Sequence, residues 1–252
     1  MKNSVLILPF IMIVFFSCKK DSTTPNPNPN PNSKSKIKTY TEDITTIGNH
    51  FAVTFNLNYD ANDRLTSIVS ASNPGDKFLI QYTSTNTFTL DIFNSNELEI
   101  HELFFLNSSS LVDSSFQYNS SNDTTTEKYL YNASKQLIIK KEFDYSKSTG
   151  SQLWNTHNYS YDASGNMTSD IDDFSQSTYD YTNLVADIPL FFFDGTYSGK
   201  SINLVKTSTY SSGGATEVTN HTYTFDSQNR LSTERAANAT TGDIVVKTYT
   251  YY

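Results

Sequence analysis

Cys18 is the only cysteine in the chain, so no intrachain disulfide can form and the fold must rest on core burial alone. Glycine is scarce, at nine residues, and tryptophan occurs once. Long helical periodicity is absent. One apolar run exists, the twelve residues Val5 to Phe16, with Pro9 inside it. A spanning helix needs about 20 apolar residues, so the run is too short to cross a membrane as a helix. Basic residues are outnumbered 18 to 26, a net charge of −8. That balance argues against nucleic acid and against anionic lipid head groups as partners. The four histidines, His50, His101, His157 and His221, are far apart, with no HxxxH or HxH spacing. A zinc site is therefore unsupported, and isolated histidines among strand residues read as surface or turn positions. No GxSxG elbow, Walker loop or dinucleotide fingerprint occurs, and no cofactor is implied.

The N-terminus has a definite grammar. Lys2 precedes the apolar run, and Ser17-Cys18-Lys19-Lys20-Asp21 follows it. A basic start, a 7–15-residue apolar core and a small residue before the cut describe a secretory signal, here residues 1–17. Phe15-Phe16-Ser17-Cys18 resembles the lipobox of bacterial lipoproteins, with Phe replacing the usual Leu. The resemblance implies cleavage before Cys18 and a diacylglycerol on its thiol, usually with a third chain on the new amino terminus. Two or more acyl chains hold a protein stably on a bilayer. Cleavage removes one Lys and no acid, leaving 17 basic and 26 acidic residues, net −9.

Residues 18–36 form the lipidated cysteine and a low-complexity linker. Pro25 to Asn32 alternates Pro and Asn strictly. Proline removes amide donors and biases its neighbours to extended geometry, so the stretch reads as a spacer. At about 3.1 Å per residue, the eighteen residues Lys19–Lys36 reach roughly 55 Å. Lys19-Lys20-Asp21 is similar to the start of Bacteroidota-type lipoproteins, in which acids near the anchor direct surface display. One acid after two lysines leaves both the cell surface and the periplasmic face of the outer membrane open.

From Ile37 the composition shifts to aromatics separated by Thr, Ser and Asn; Tyr and Phe number 17 each in the chain. Phe51, Val53, Phe55, Leu57 and Tyr59 alternate with Ala52, Thr54, Asn56 and Asn58, the period of a half-buried strand. A nine-residue unit recurs four times, at Leu57–Leu65, Tyr129–Leu137, Tyr159–Met167 and Tyr223–Leu231. Each copy has two apolar or aromatic residues two apart, then Asp or Asn, a small residue, turn formers and a returning Leu or Met. Asp60, Asn132, Asp162 and Asp226 are placed to bond their own backbone two residues on and start a hairpin turn. Asp63, Lys135, Gly165 and Asn229 occupy the position that calls for a left-handed backbone, which suits Lys least. The equivalence of four acids favours turn chemistry over catalysis or metal binding.

These units resemble the YD repeats of Rhs-type proteins. They look closer still to Bacteroidota envelope lipoproteins of unknown function built from divergent YD-like hairpins. Tyr179-Asp-Tyr-Thr-Asn183, Ile188–Phe193, Gly195 and Asn203-Leu-Val-Lys206 match that family's features. The likeness spans roughly residues 37–252 and implies an antiparallel β fold, with some relatives described as porin-like or lipid-binding. The uneven spacing of the four copies implies further hairpins without the full motif.

The expected architecture is one all-β domain, residues 37–252, of roughly 12–16 strands in a hairpin meander rolled into a barrel-like sheet or a sandwich. Glu97–Leu106 reads as a strand. Thr182–Gly199, with Pro189, breaks the alternation and reads as a loop or short helix that plugs or caps one end. Trp154, near Tyr159 and Tyr161, is a candidate sugar-stacking surface, against the commoner role of a core tryptophan. Asp170, Asp172 and Asp173 offer calcium-like spacing at one end, without the Gly or distal Glu such a loop wants; a solvated hairpin end is the simpler reading. The expected function is a non-enzymatic envelope lipoprotein presenting a β scaffold to a lipid, glycan or protein. The alternatives are a hydrolase of envelope or extracellular glycans and an integral outer-membrane barrel, which needs an outward apolar band flanked by aromatics.

Overall fold

The computed structural model describes residues 36–119, 124–146, 150–184 and 203–252. The signal segment, Cys18, nearly all of the linker and most of the expected cap at Thr182–Gly199 lie outside the described residues. Sixteen strands follow one another: β1 (Ile37–Thr46), β2 (Asn49–Tyr59), β3 (Leu65–Ser70), β4 (Lys77–Tyr82), β5 (Thr87–Asn94), β6 (Glu97–Leu106), β7 (Val112–Asn119), β8 (Thr124–Tyr131), β9 (Leu137–Ser146), β10 (Gly150–Tyr161), β11 (Met167–Ile171), β12 (Ser175–Tyr181), β13 (Val205–Ser212), β14 (Ala215–Phe225), β15 (Leu231–Asn238) and β16 (Ile244–Tyr251). Each pairs antiparallel with its neighbours in sequence, and β16 pairs with β1, so the sheet closes into a barrel without edges. Closure satisfies every ladder that an open sheet would leave exposed.

The period-2 pattern decides which face is inside. Leu57, Phe55 and Val53 of β2 pack into the core, whereas Asn56 and Asn58 stay in solvent. The core is a floor at one end of the barrel. Ile37, Leu57, Leu65, Ile68, Phe88 and Phe104 lie in it, the last two rings stacked 4.6 Å apart. Exposure then climbs along the inward side of β2: Leu57 is 1 % exposed, Phe55 8 % and Phe51 43 %. Along β13 it rises from 0 % at Val205 to 45 % at Tyr210. Among the described residues, the inner wall is packed at the floor and more exposed toward the mouth.

The floor end is built by a repeated turn. Asp60 Oδ1 accepts the amides of Asn62 and Arg64, both at 2.9 Å. Asn132, Asp162 and Asp226 accept the amides two and four residues on in the same way. The fourth residue of each turn is left-handed, with φ of 65° at Asp63, 62° at Lys135, 90° at Gly165 and 58° at Asn229. A fifth copy, Asn107 to Val112, has the same bonds and φ of 59° at Ser110. It escapes notice in the sequence because serine fills the positions that Asp, Ala and Asn mark elsewhere.

Thr83 and Thr182 stand where the acid stands in the other copies, and Tyr252 does so at the closure, donating its amide to Lys36 O at 3.2 Å. The even-to-odd strand ends, and both ends of the described barrel, therefore meet at the floor. Tyrosine hydroxyls tie the ring together. Tyr82, Tyr131, Tyr161, Tyr181, Tyr223 and Tyr251 each donate to the carbonyl of the first residue of the preceding strand, at 2.5–3.1 Å. Buried phenols need such acceptors, which explains why the motif prefers Tyr to Phe at these points.

Candidate functional site

Above the floor, the interior turns polar at a fixed place in the repeat. The residues five before each turn residue are Phe55, Phe78, Glu102, Glu127, His157, Ser177, His221 and Lys247. Six of the eight are polar. Neighbouring odd strands add Glu42, Ser115, Lys140, Glu142, Asp170, Ser208 and Glu234. Two linked groups result.

The first spans β6 to β11. The Lys140 ammonium lies between Glu127, at 3.4 Å, and Glu142, which it contacts directly. Tyr129 donates to Glu127, and Asn155 Nδ2 donates to Glu142 at 3.2 Å. His157 sits 3.1 Å from Asp170 and 3.6 Å from Glu142. Burial alone would lower the imidazole pKa, but hydrogen bonds to Asp170 and Glu142 outweigh it and raise the value to about 9. For Glu142 burial acts upward, yet the His157 bond and the Lys140 charge bring it down to about 2. Glu102 has less help. Burial, and then the charge of Glu127, push it up to about 7.

The second group spans β13 to β1. Ser208 Oγ is 3.1 Å from His221 Nε2, and His221 Nδ1 is 3.0 Å from Glu234 Oε1. The His221 and Glu234 side chains are 1 % and 2 % exposed. Burial opposes ionisation of Glu234, but the His221 hydrogen bond and the Lys247 charge hold its pKa below the ordinary value. Nδ1 is the ring nitrogen that faces the Glu234 carboxylate, and Nε2 is the one that faces the Ser208 hydroxyl. Lys247 Nζ stands 4.0 Å from Glu234 on the far side.

Two histidines correct the sequence expectation. His50 and His101 face outward, paired with Asp43 at 2.9 Å and Asp91 at 2.5 Å. His157 and His221 instead point into the barrel. The signal was legible: both stand two residues before the first aromatic of a repeat unit, on the same strand face. The acid trio also divides. Asp170 turns inward to His157, Asp172 caps its turn through the amides of Phe174 and Ser175, and Asp173 accepts the Thr156 amide. Among the described residues no group of three or more His, Cys, Asp or Glu could hold a metal ion.

Trp154 does not join Tyr159 and Tyr161 on one surface. It lies at a bulge of β10, 44 % exposed, stacked on Phe174 at 6.0 Å. Tyr159 packs against the core inside, its ring 6.1 Å from that of His157, and Tyr161 pins Leu137 O. The outside of the barrel is uneven. Thr224, Thr233, Thr248, Thr41 and Thr54 form one cross-strand row from β14 to β2. Leu103, Phe116, Thr126, Phe143 and Leu153 form another from β6 to β10.

No family model matches the chain, and no curated protein matches it. Solved structures do. A porin-like protein from Bacteroides uniformis aligns over 86 % of this chain and 98 % of its own, at 14 % identity and a TM-score of 0.61. A porin-like protein from Bacteroides vulgatus covers the same shares at 12 % identity and a TM-score of 0.59. At these identities the likeness shows a shared barrel fold.

Proposed function

We propose that the chain is a non-enzymatic cell-envelope lipoprotein, tethered to the outer membrane through Cys18, whose barrel takes a ligand into the open half of its lumen. The observation that carries this reading is the climb in exposure along the inward strand faces above the polar interior groups. A filled barrel would bury those faces to both ends. Sixteen strands are enough to leave an interior that side chains do not fill. The first described strand begins at the floor end, so the chain enters the barrel on the side away from the mouth. The outward threonine row counts against embedding, because a membrane barrel needs an apolar band all round.

The test uses the mature chain with Trp154→Phe and Phe51→Trp, which moves the single indole to the inner wall of the mouth. Titration with a glycan panel and a lipid panel is expected to give saturable fluorescence changes with one class. No saturable change with either class would overturn the reading.

A second reading, hydrolysis, is favoured by the Ser208–His221–Glu234 chain, which has the order and spacing of a nucleophile, a base and an orienting acid. It ranks second because Ser208 sits mid-strand, with β12 and β14 paired on both sides. The backbone amides that would stabilise an oxyanion are engaged in the sheet. A fluorophosphonate probe that labels the wild-type chain but not Ser208→Ala would promote this reading; no labelling removes it.

A further inference from the structure

The apolar outer row has company. One step toward the mouth, His101, Tyr118, Thr124, Tyr145 and Ser151 align across the same five strands; one step toward the floor, Phe105, Ser114, Lys128, Lys141 and Thr156 align. Phe105, Phe116, Tyr118, Tyr145 and Leu153 are 39–53 % exposed, and Trp154 and Phe174 extend the surface at 44 % and 61 %. Large aromatics standing together in solvent mark a contact surface. Five strands at about 4.8 Å and three rows at about 6.8 Å make a flank of roughly 500 Å². A stable dimer buries about 800 Å² on each partner, so this area falls short of a second copy. A two-fold contact centred here would also bring Lys128 and Lys141, directly paired in register, against their own copies.

We propose that this flank, β6 to β10, lies on the surface of the lipid bilayer to which the chain is tethered, with its aromatic rings in the interfacial layer. The inference rests on the reading of Cys18 as the anchor. Three observations favour lipid. Tyr and Trp settle at the bilayer interface, one end apolar and the other wet, and Phe and Leu supply the apolar face of surface-bound elements. Lys128, whose ammonium stands 5.7 Å from the Phe143 ring centroid, and Lys141 give the flank a local positive charge on an acidic protein. The acidic chain as a whole disfavours anionic head groups, but this local basic pair is placed to reach them while its stems cover apolar surface.

The third observation is the reach of the tether. It joins β1, eight strands around the ring from β9. With strands tilted about 40° and spaced about 4.8 Å, half the circumference is roughly 50 Å and the diameter roughly 32 Å. The tether reaches roughly 55 Å, so the anchor can sit in the bilayer while the flank farthest from β1 lies flat on it. Deleting the eight residues Pro25–Asn32 leaves about 31 Å, which is no longer enough to pass around the floor.

Trp154, the only tryptophan, makes the native chain its own reporter. The chain beginning at residue 18, with Cys18→Ser so that no acyl chain is present, is mixed with phosphatidylethanolamine–phosphatidylglycerol vesicles. The expected result is co-sedimentation, with Trp154 emission shifted to the blue and quenched by brominated acyl chains. Phe116→Ser and Phe143→Ser are each expected to lower the partition about tenfold, whereas Thr233→Ser on the opposite side leaves it unchanged. A chain that stays in the supernatant overturns the proposal, as does a dimer that shields Trp154 without vesicles. The anchor reading fails separately: native chain whose mass shows an unmodified Cys18 sinks it. Acylated chain that binds vesicles with Trp154 unquenched leaves the anchor standing and removes the flank.

Discussion

Glu102 is the interior carboxylate that the barrel serves least well, and replacing it with glutamine tests the electrostatics of the lumen. Its pKa is raised from 4.5 to about 7, first by burial and then by the charge of Glu127. A folded-state value above the unfolded one means that stability is full below pH 4.5 and is lost as pH rises through 7. Raising a carboxyl from 4.5 to about 7 corresponds to about 3 kcal/mol, which water reaching the lumen trims to about 2 kcal/mol. Glutamine keeps the shape and removes the charge. Glu102→Gln should therefore stabilise the chain by about 2 kcal/mol at pH 8.5, where the native carboxyl is ionised. At pH 5, where it is protonated, the change should be small. For a domain of this size 1 kcal/mol moves Tm by about 2–4 °C. Thermal melts by circular dichroism should show a rise of about 4–8 °C at pH 8.5 and under about 2 °C at pH 5. An equal shift at both values, or a lower Tm at pH 8.5, would refute the assignment of cost to the buried charge.

Asp162→Ala removes three hydrogen bonds at one turn, and through Asn166, whose Oδ1 accepts the Asn203 amide, it loosens the return of the chain into β13. A loss of about 2–3 kcal/mol in urea unfolding is expected, against about 1 kcal/mol for Ser84→Ala at the β4–β5 connection. Lys135→Gly should stabilise by about 0.5–1 kcal/mol, because lysine is held there at φ of 62°; a destabilised variant in the same assay would show that its side chain matters more than its backbone. The His157 contribution is present below pH 6.5 and fades as pH rises through about 9, and that of Glu142 is present above pH 4.5 and fades toward about 2. His157→Gln should accordingly lower the urea midpoint clearly at pH 6 and much less at pH 9.5, and a constant loss would argue for packing instead.

The all-β class and the turns were legible because they are local. Asp60, Asn132, Asp162 and Asp226 act on amides two and four residues away, and the alternation from Phe51 to Tyr59 needs no distant information. Closure was not legible, because the pairing of Ile37–Thr46 with Ile244–Tyr251 spans the whole domain and carries no local mark. The Asn107 turn was hidden by serine, which supplies the needed geometry without the usual residue types. His221 and Glu234 lie 13 positions apart and meet only across the β14–β15 hairpin. Reading the repeat units in register, rather than searching for known spacings, would have placed His157 and His221 on one inward layer. The patch at Phe116 and Phe143 was invisible for the same reason: its rows run across strands, and no single strand shows it.

The meeting of Tyr252 with Lys36 sets the last strand beside the first as a turn would, without a covalent connection. The amide-to-carbonyl bond of that seam matches those from Asp60 to Arg64 and from Asp226 to Arg230, turns that the Asp side chains cap in addition. A linker of a few residues across it, with new ends cut at the Asn132 turn, should give a permuted chain with the same barrel. On the proposed anchoring through Cys18, a tether moved to another turn would rotate the molecule on the membrane without rebuilding the barrel.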